Sequence, residues 1–194
     1  MKTPLHAAAL LLTLSAPAAT IPAVIIPAAT IPSATIPSAT ATALDGHAVT
    51  LPRDLPAPAT ILILGFSQHS ADTTTAWEKP IRSSLATSPS IAYLDIPFLQ
   101  DAPSFIRPLI LRSIRKQVPD ALKPNFLPLT SNEDAWKQLT HFSPSAPDAA
   151  YILLVDRSGT IRWQTHDPLT PTLFATLSSA ARSLAAESLA AESK

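Results

Sequence analysis

The chain has 194 residues, 46% of them hydrophobic, which suits one domain with a buried core plus flanking segments. Lys+Arg and Asp+Glu each number 14, so the formal charge is zero and no long-range field draws nucleic acid. There is no cysteine and there are only three glycines, which excludes disulfides, thiolate nucleophiles, Cys-ligated zinc, a lipidated anchor cysteine and Gly-rich phosphate loops.

Residues 1–19 read as a secretory signal peptide. Lys2 gives a positive start, Ala7 to Leu14 an apolar run, and Ala16-Pro17-Ala18 an A-x-A-like cleavage site. The run is too short to span a bilayer, so no transmembrane helix is expected in the mature chain. The protein is therefore expected to be exported, to the periplasm or the extracellular space. Residues 20–43 read as a Pro-rich repeat linker, with Pro22, Pro27, Pro32 and Pro37 at a strict spacing of five. Proline lacks an N–H and fixes φ, which predicts an extended tether leaning to polyproline II.

The domain itself is predicted over 44–180. "HAVTLP" from His47 alternates as a short strand, and "TILILGF" from Thr60 to Phe66 has the continuous apolar character of a strand buried on both faces. "DTTTAWEKPIRSSLA" predicts a helix with Asp72 as its N-cap, Trp77, Ile81 and Leu85 on one side and a kink at Pro80. "SIAYLDIPFL" from Ser90 is the next strand. Ser104 to Val118 predicts an amphipathic helix with Ile106, Leu109, Ile110, Ile114 and Val118 inward and Arg112, Arg115 and Lys116 on the other side. "SNEDAWKQLTHF" predicts another helix, N-capped by Ser131. "AAYILLVD" is a second buried strand, turned by "RSG" into "TIRWQT", and a last helix starts near Pro171. Residues 181–194 read as an Ala/Glu-rich tail that frays.

The order β-β-α-β-α-α-β-β-α, with "LDGHAVTLP" before "TILILGF" and with "YILLVDRSGTIRW", resembles the thioredoxin-like superfamily over about Leu44 to Leu177. In the hairpin, Gly159 suits a positive φ and Asp156 can bond the turn backbone. A closer resemblance is to the mitochondrial ATP synthase assembly-factor family and its bacterial relatives. It rests on "GHAVTLPRDLPAPATILILGFSQHS", Trp77, "LRSIRKQVP", Trp136 and "YILLVDRSGTIRW". The resemblance implies a three-layer α/β/α fold around a central mixed sheet of about five strands. It also implies a chaperone-like role toward a membrane protein.

Oxidoreductases of this superfamily carry their thiols in the loop after the first core strand. Here that loop, Ser67 to Thr75, reads "SQHSADTTT", and a hydroxyl such as Ser70 has far too high a pKa to act as a thiolate. The cis-proline that usually faces the thiols would fall near Ala149 or Ala150. No catalytic residue, cofactor or metal is therefore expected. The candidate binding residues are His69, Ser70 and Asp72 in this loop, Trp163 as a half-exposed anchor on the hairpin, and Arg112, Arg115 and Lys116 as a docking face for a protein partner or lipid headgroups. The expected function is a non-catalytic thioredoxin-like binding or assembly module of the cell envelope, acting on a protein partner and not on nucleic acid. The alternative is a divergent redox-family enzyme working with a partner's thiols or with a metal at His69.

Overall fold

The computed structural model describes residues 34–192. Its centre is a four-stranded sheet of β3 (Ala59–Gly65), β4 (Ile91–Pro97), β5 (Ala150–Asp156) and β6 (Ile161–Thr165), in the spatial order β4-β3-β5-β6. Two further strands, β1 (Ala39–Thr42) and β2 (Ala48–Leu51), pair antiparallel as a separate hairpin. The sequence predicts one sheet of about five strands, and the difference lies in this hairpin. The expected "HAVTLP" strand does form, but it pairs with its own neighbour instead of joining the main sheet.

The two apolar runs behave as their composition dictates. All seven residues of β3 are buried, and β5 is buried through Val155. They lie side by side and antiparallel, with Leu62 opposite Leu153 and Gly65 opposite Ala150. β4 joins the other side of β3 in parallel, through the helix α1 (Ala71–Ser84). β6 returns antiparallel along β5.

Alternation along the strands splits the core into two. One face sends Ile61, Ile63, Ile152 and Leu154 toward Trp77 and Ile81 of α1 and toward Leu177 and Ala181 of α4 (Pro171–Glu192). The opposite face sends Leu62, Leu64, Leu153 and Val155 toward Trp136 of α3 (Glu133–Leu139) and toward Val49 and Leu51 of the hairpin. Helices on one face, and a helix with a hairpin on the other, make the three layers.

The hairpin between β5 and β6 is built as its sequence requires. Asp156 Oδ1 accepts from the amides of Ser158 and Thr160 at 2.9 and 3.0 Å, and Gly159 takes φ +80°. A Cβ on Gly159 would stand 2.5 Å from Pro52 Cβ, so the glycine also admits the hairpin's approach to β2.

Several expectations are corrected. The described part of the repeat, residues 34–43, is not a free tether. Ile36, Ala39 and Ala43 are buried, the Ile36 amide donates to Gly159 O, and Ala39–Thr42 is β1. Proline's missing N–H is harmless here because Pro37 lies just outside the ladder. Residues 20–33 lie outside the described residues, as does the 1–19 signal. The tail boundary at 181 is also corrected. α4 runs unbroken to Glu192, and its own Ala181, Leu184 and Ala185 are buried against the core. α2 (Arg107–Gln117) starts later than predicted and has no fully buried residue, and its Leu109 is exposed rather than inward. The N-cap position of α3 is held by Asn132, at φ 63° and without a side-chain capping bond, instead of by Ser131.

Candidate functional site

The end of β3 and the start of α1 carry the loop in which the superfamily's thiols are expected. Ser67, in extended backbone, caps the 3-10 turn Gln68–Ser70 that leads into α1. Its Oγ accepts from the amides of His69 and Ser70 at 3.1 and 3.0 Å. The same hydroxyl donates to Asp148 Oδ1 at 2.5 Å. Ser70 is buried, and its Oγ donates to Ser67 O at 2.7 Å. Thr73 Oγ1 reaches Ser70 O at 2.8 Å and Asp148 O at 2.7 Å. Two hydroxyls three residues apart at a helix N-terminus are thus bound into the fold.

Gly65 explains how close this packing is. A Cβ there would fall 2.5 Å from Ser70 Oγ, so the last residue of β3 has room for no side chain. Asp72 lies exposed in the first turn and is not the N-cap: Ser67 and then Ser70 occupy the capping positions. His69 is exposed and does not join Ser70, whose hydroxyl is committed to Ser67 O. Among the described residues no group of three His, Asp or Glu could hold a metal ion.

Asp148 is the residue that sequence reading missed. It stands just before β5, one position from the alanines considered for the cis-proline, and register places this end of β5 beside the end of β3. Its only sequence signal was an acidic residue directly before a buried strand, opposite a Ser-rich loop.

The same end of the sheet carries an aromatic cluster and a shallow cleft. Phe66 stacks on Phe98 at 4.7 Å between ring centroids and meets Tyr151 edge-on at 5.2 Å. Tyr151 in turn stacks on His166 at 5.3 Å. A cleft of about 270 Å³ opens here, lined by Thr140, His141, Tyr151, Gln164 and His166.

The remaining candidates fall elsewhere. Trp163 is half-buried and packs against the α1–α4 side of the core, opposite Leu154. Arg112 and Lys116 lie exposed on α2, whereas the Arg115 guanidinium donates to Leu44 O at 2.9 Å and so fastens α2 to the domain.

A second polar group sits between α1 and the middle of β4, where Tyr93 lies opposite Ile61 and Asp95 opposite Ile63 of β3. Glu78 of α1 is buried, accepts from Tyr93 Oη at 3.1 Å and pairs with Arg82 at 3.0 Å. Asp95 of β4 is buried nearby. Loss of water, aided by the like charge of Glu78, pushes its carboxyl up to about 7. Asp101, on the loop after β4, is exposed and faces Lys137 at 3.5 Å.

No family model and no curated protein matches this chain. Solved structures do match it. BsSco, a member of the Sco family of cytochrome c oxidase assembly proteins, is 14% identical with a TM-score of 0.54, over 79% of this chain and 95% of that one. The thioredoxin domain of a thiol-disulfide oxidoreductase from Bacteroides vulgatus is 14% identical with a TM-score of 0.52, over 77% and 96%. An exposed lipoprotein thioredoxin from Streptococcus pneumoniae is 10% identical with a TM-score of 0.50, over 73% and 97%. At these identities the likeness shows the fold, which is thioredoxin-like. In this chain that fold is built without a cysteine.

Proposed function

We propose that this chain is a non-catalytic thioredoxin-like binding module, exported from the cytoplasm, that assists the assembly of another protein of the cell envelope. The observation that carries this reading is the state of the Ser67–Ser70 turn. The loop where the superfamily's redox enzymes hold thiols has two hydroxyls, each committed to a hydrogen bond inside the fold. A serine hydroxyl so held cannot attack a disulfide or a peroxide, because both reactions need a low-pKa thiolate.

Support for an assembly role comes from two sides. The sequence resembles an assembly-factor family. The solved structures of like fold include BsSco, whose family is one of assembly proteins. Export rests on the n-h-c pattern of residues 1–19. No helix of the described residues is long and apolar enough to cross a membrane.

Photo-crosslinking from His69 and His166 in living cells tests the reading, since both exposed side chains stand at the sheet end that carries the turn. It expects one envelope protein to be captured from both positions, and the purified chain to reduce neither insulin nor peroxide. Turnover of either substrate by clean protein would overturn it. So would detection of the full chain in the cytoplasm with residues 1–19 still attached.

A further inference from the structure

We propose that α2 is a docking surface for anionic phospholipid. The inference concerns a different face from the Ser67–Ser70 turn and stands whether or not that turn binds a partner.

Exposure along α2 and the turn that leads into it, Ser104–Ile106, follows the helical period. Phe105, Leu109, Arg112 and Lys116, at spacings of four, three and four, lie on one exposed stripe. Ile106, Ile110, Ile114 and Val118, on the side toward the domain, are half-buried. Phe105 is 81% exposed and Leu109 is 68% exposed, so two large apolar side chains project at the N-terminal end of the stripe. Two cations follow at its C-terminal end.

The helix cannot roll to hide this stripe. Near its start, Arg107 donates to Ala102 O at 2.8 Å and to Gln100 O at 2.7 Å. Near its end, Arg115 donates to Leu44 O at 2.9 Å. Two guanidinium clamps, about two turns apart, thus fix the rotation of α2 and point Phe105, Leu109, Arg112 and Lys116 outward.

Charge selects the occupant. The whole chain is neutral, yet residues 102–119 hold four cations and no Asp or Glu. Arg112 and Lys116 have no ion-pair partner among the described residues. A convex strip with an aromatic and a leucine at one end and two unpaired cations at the other offers no groove for a peptide. It matches an interface where acyl chains take the apolar tips and phosphates take the cations.

The absence of native cysteine permits a clean test on the full chain. Ser113→Cys, exposed at the flank of the stripe beside Leu109 and Arg112, and Ala175→Cys, exposed on α4, are each nitroxide-labelled and mixed with phosphatidylglycerol/phosphatidylcholine or pure phosphatidylcholine vesicles. With the anionic vesicles, the label at position 113 is expected to gain oxygen exposure and lose contact with a water-soluble nickel relaxant. The label at 175 is expected to stay unchanged, as are both labels with neutral vesicles. Adding Arg112→Gln and Lys116→Gln should weaken the response by roughly 20- to 30-fold in lipid concentration, as two interfacial charges would. The local readout separates α2 from any lipid contact of residues 1–33. The emission of the tryptophans checks that each variant is folded. No change at 113, an equal change with neutral vesicles, or an unaltered response in the charge variant would overturn the proposal. Immobilisation at 113 by lipid-free envelope protein, without a response to vesicles, would also overturn it.

Discussion

Ser67 donates a 2.5 Å hydrogen bond to Asp148, 81 residues away in sequence, and so ties the start of α1 to the segment that enters β5. The same oxygen accepts from two amides of the helical turn. Ser67 is thus both a helix cap and a tertiary link. Ser67→Ala should cost about 1–2 kcal/mol, the range of a lost N-cap. Asp148→Ala should cost about 1 kcal/mol, with the Ser67→Ala/Asp148→Ala pair costing less than the sum. Urea unfolding of the three variants checks this, and strict additivity would mean the two side chains do not interact in solution.

A second prediction concerns what the scaffold would do with thiols. In Ser67→Cys/Ser70→Cys the two side chains are three residues apart at a helix N-terminus, where amide dipoles favour a thiolate. The double variant should close an intramolecular disulfide in air, seen as loss of two titratable thiols, and should acquire slow insulin reduction. The wild-type chain should show neither. A double variant that stays fully reduced would mean that the turn does not hold these positions as a redox pair.

The core and the α2 face should respond in opposite ways. Leu62 and Leu154 are fully buried on opposite faces of the sheet, so truncating either to Ala should cost about 2–5 kcal/mol. Arg112→Ala should stay within about 0.5 kcal/mol, as exposed substitutions do. Arg115→Ala should cost more, about 1 kcal/mol, because it frees the Leu44 carbonyl and loosens the clamp on α2. Thermal melts of the four variants rank these effects.

These contrasts also mark what could be read from the chain. β3 and β5 were legible because a strand covered on both faces must be apolar without interruption, and no surface element can afford that pattern. The β5–β6 turn was legible because Asp156 and Gly159 meet a local stereochemical demand. The hairpin was not, since proline spacing describes a conformation in isolation and says nothing of Ile36 finding a place in the core. Hydropathy and the helical period place Leu109 inward, whereas the direction of a helix face is set by contacts as distant as Arg115 with Leu44. Of the site, the Ser-rich loop was visible. Its partner Asp148 was not, because nothing local ties an acid before one strand to a hydroxyl after another.

Asp95 makes stability depend on pH in an unusual direction. Its carboxyl is buried and raised from 3.8 to about 7, first by loss of water and then by the charge of Glu78. Between those two values the folded chain keeps a proton on Asp95 that the unfolded chain has lost. By linkage, this stabilising contribution is complete below about pH 4, shrinks as pH rises, and is gone above about pH 7. The span corresponds to a few kcal/mol, on the order of 4 at most. Asp45, Asp54 and Asp120 are held below the ordinary carboxylate range by hydrogen bonds from His47, Arg53 and Lys123, and they act in the opposite sense. A difference measurement removes their effect. Asp95→Asn carries a neutral side chain of the same shape, so it should match wild type near pH 4 and exceed it in stability at pH 8. Urea midpoints of the two proteins across that range test the argument. Parallel curves would mean that Asp95 keeps its ordinary pKa in the folded state and that water reaches it.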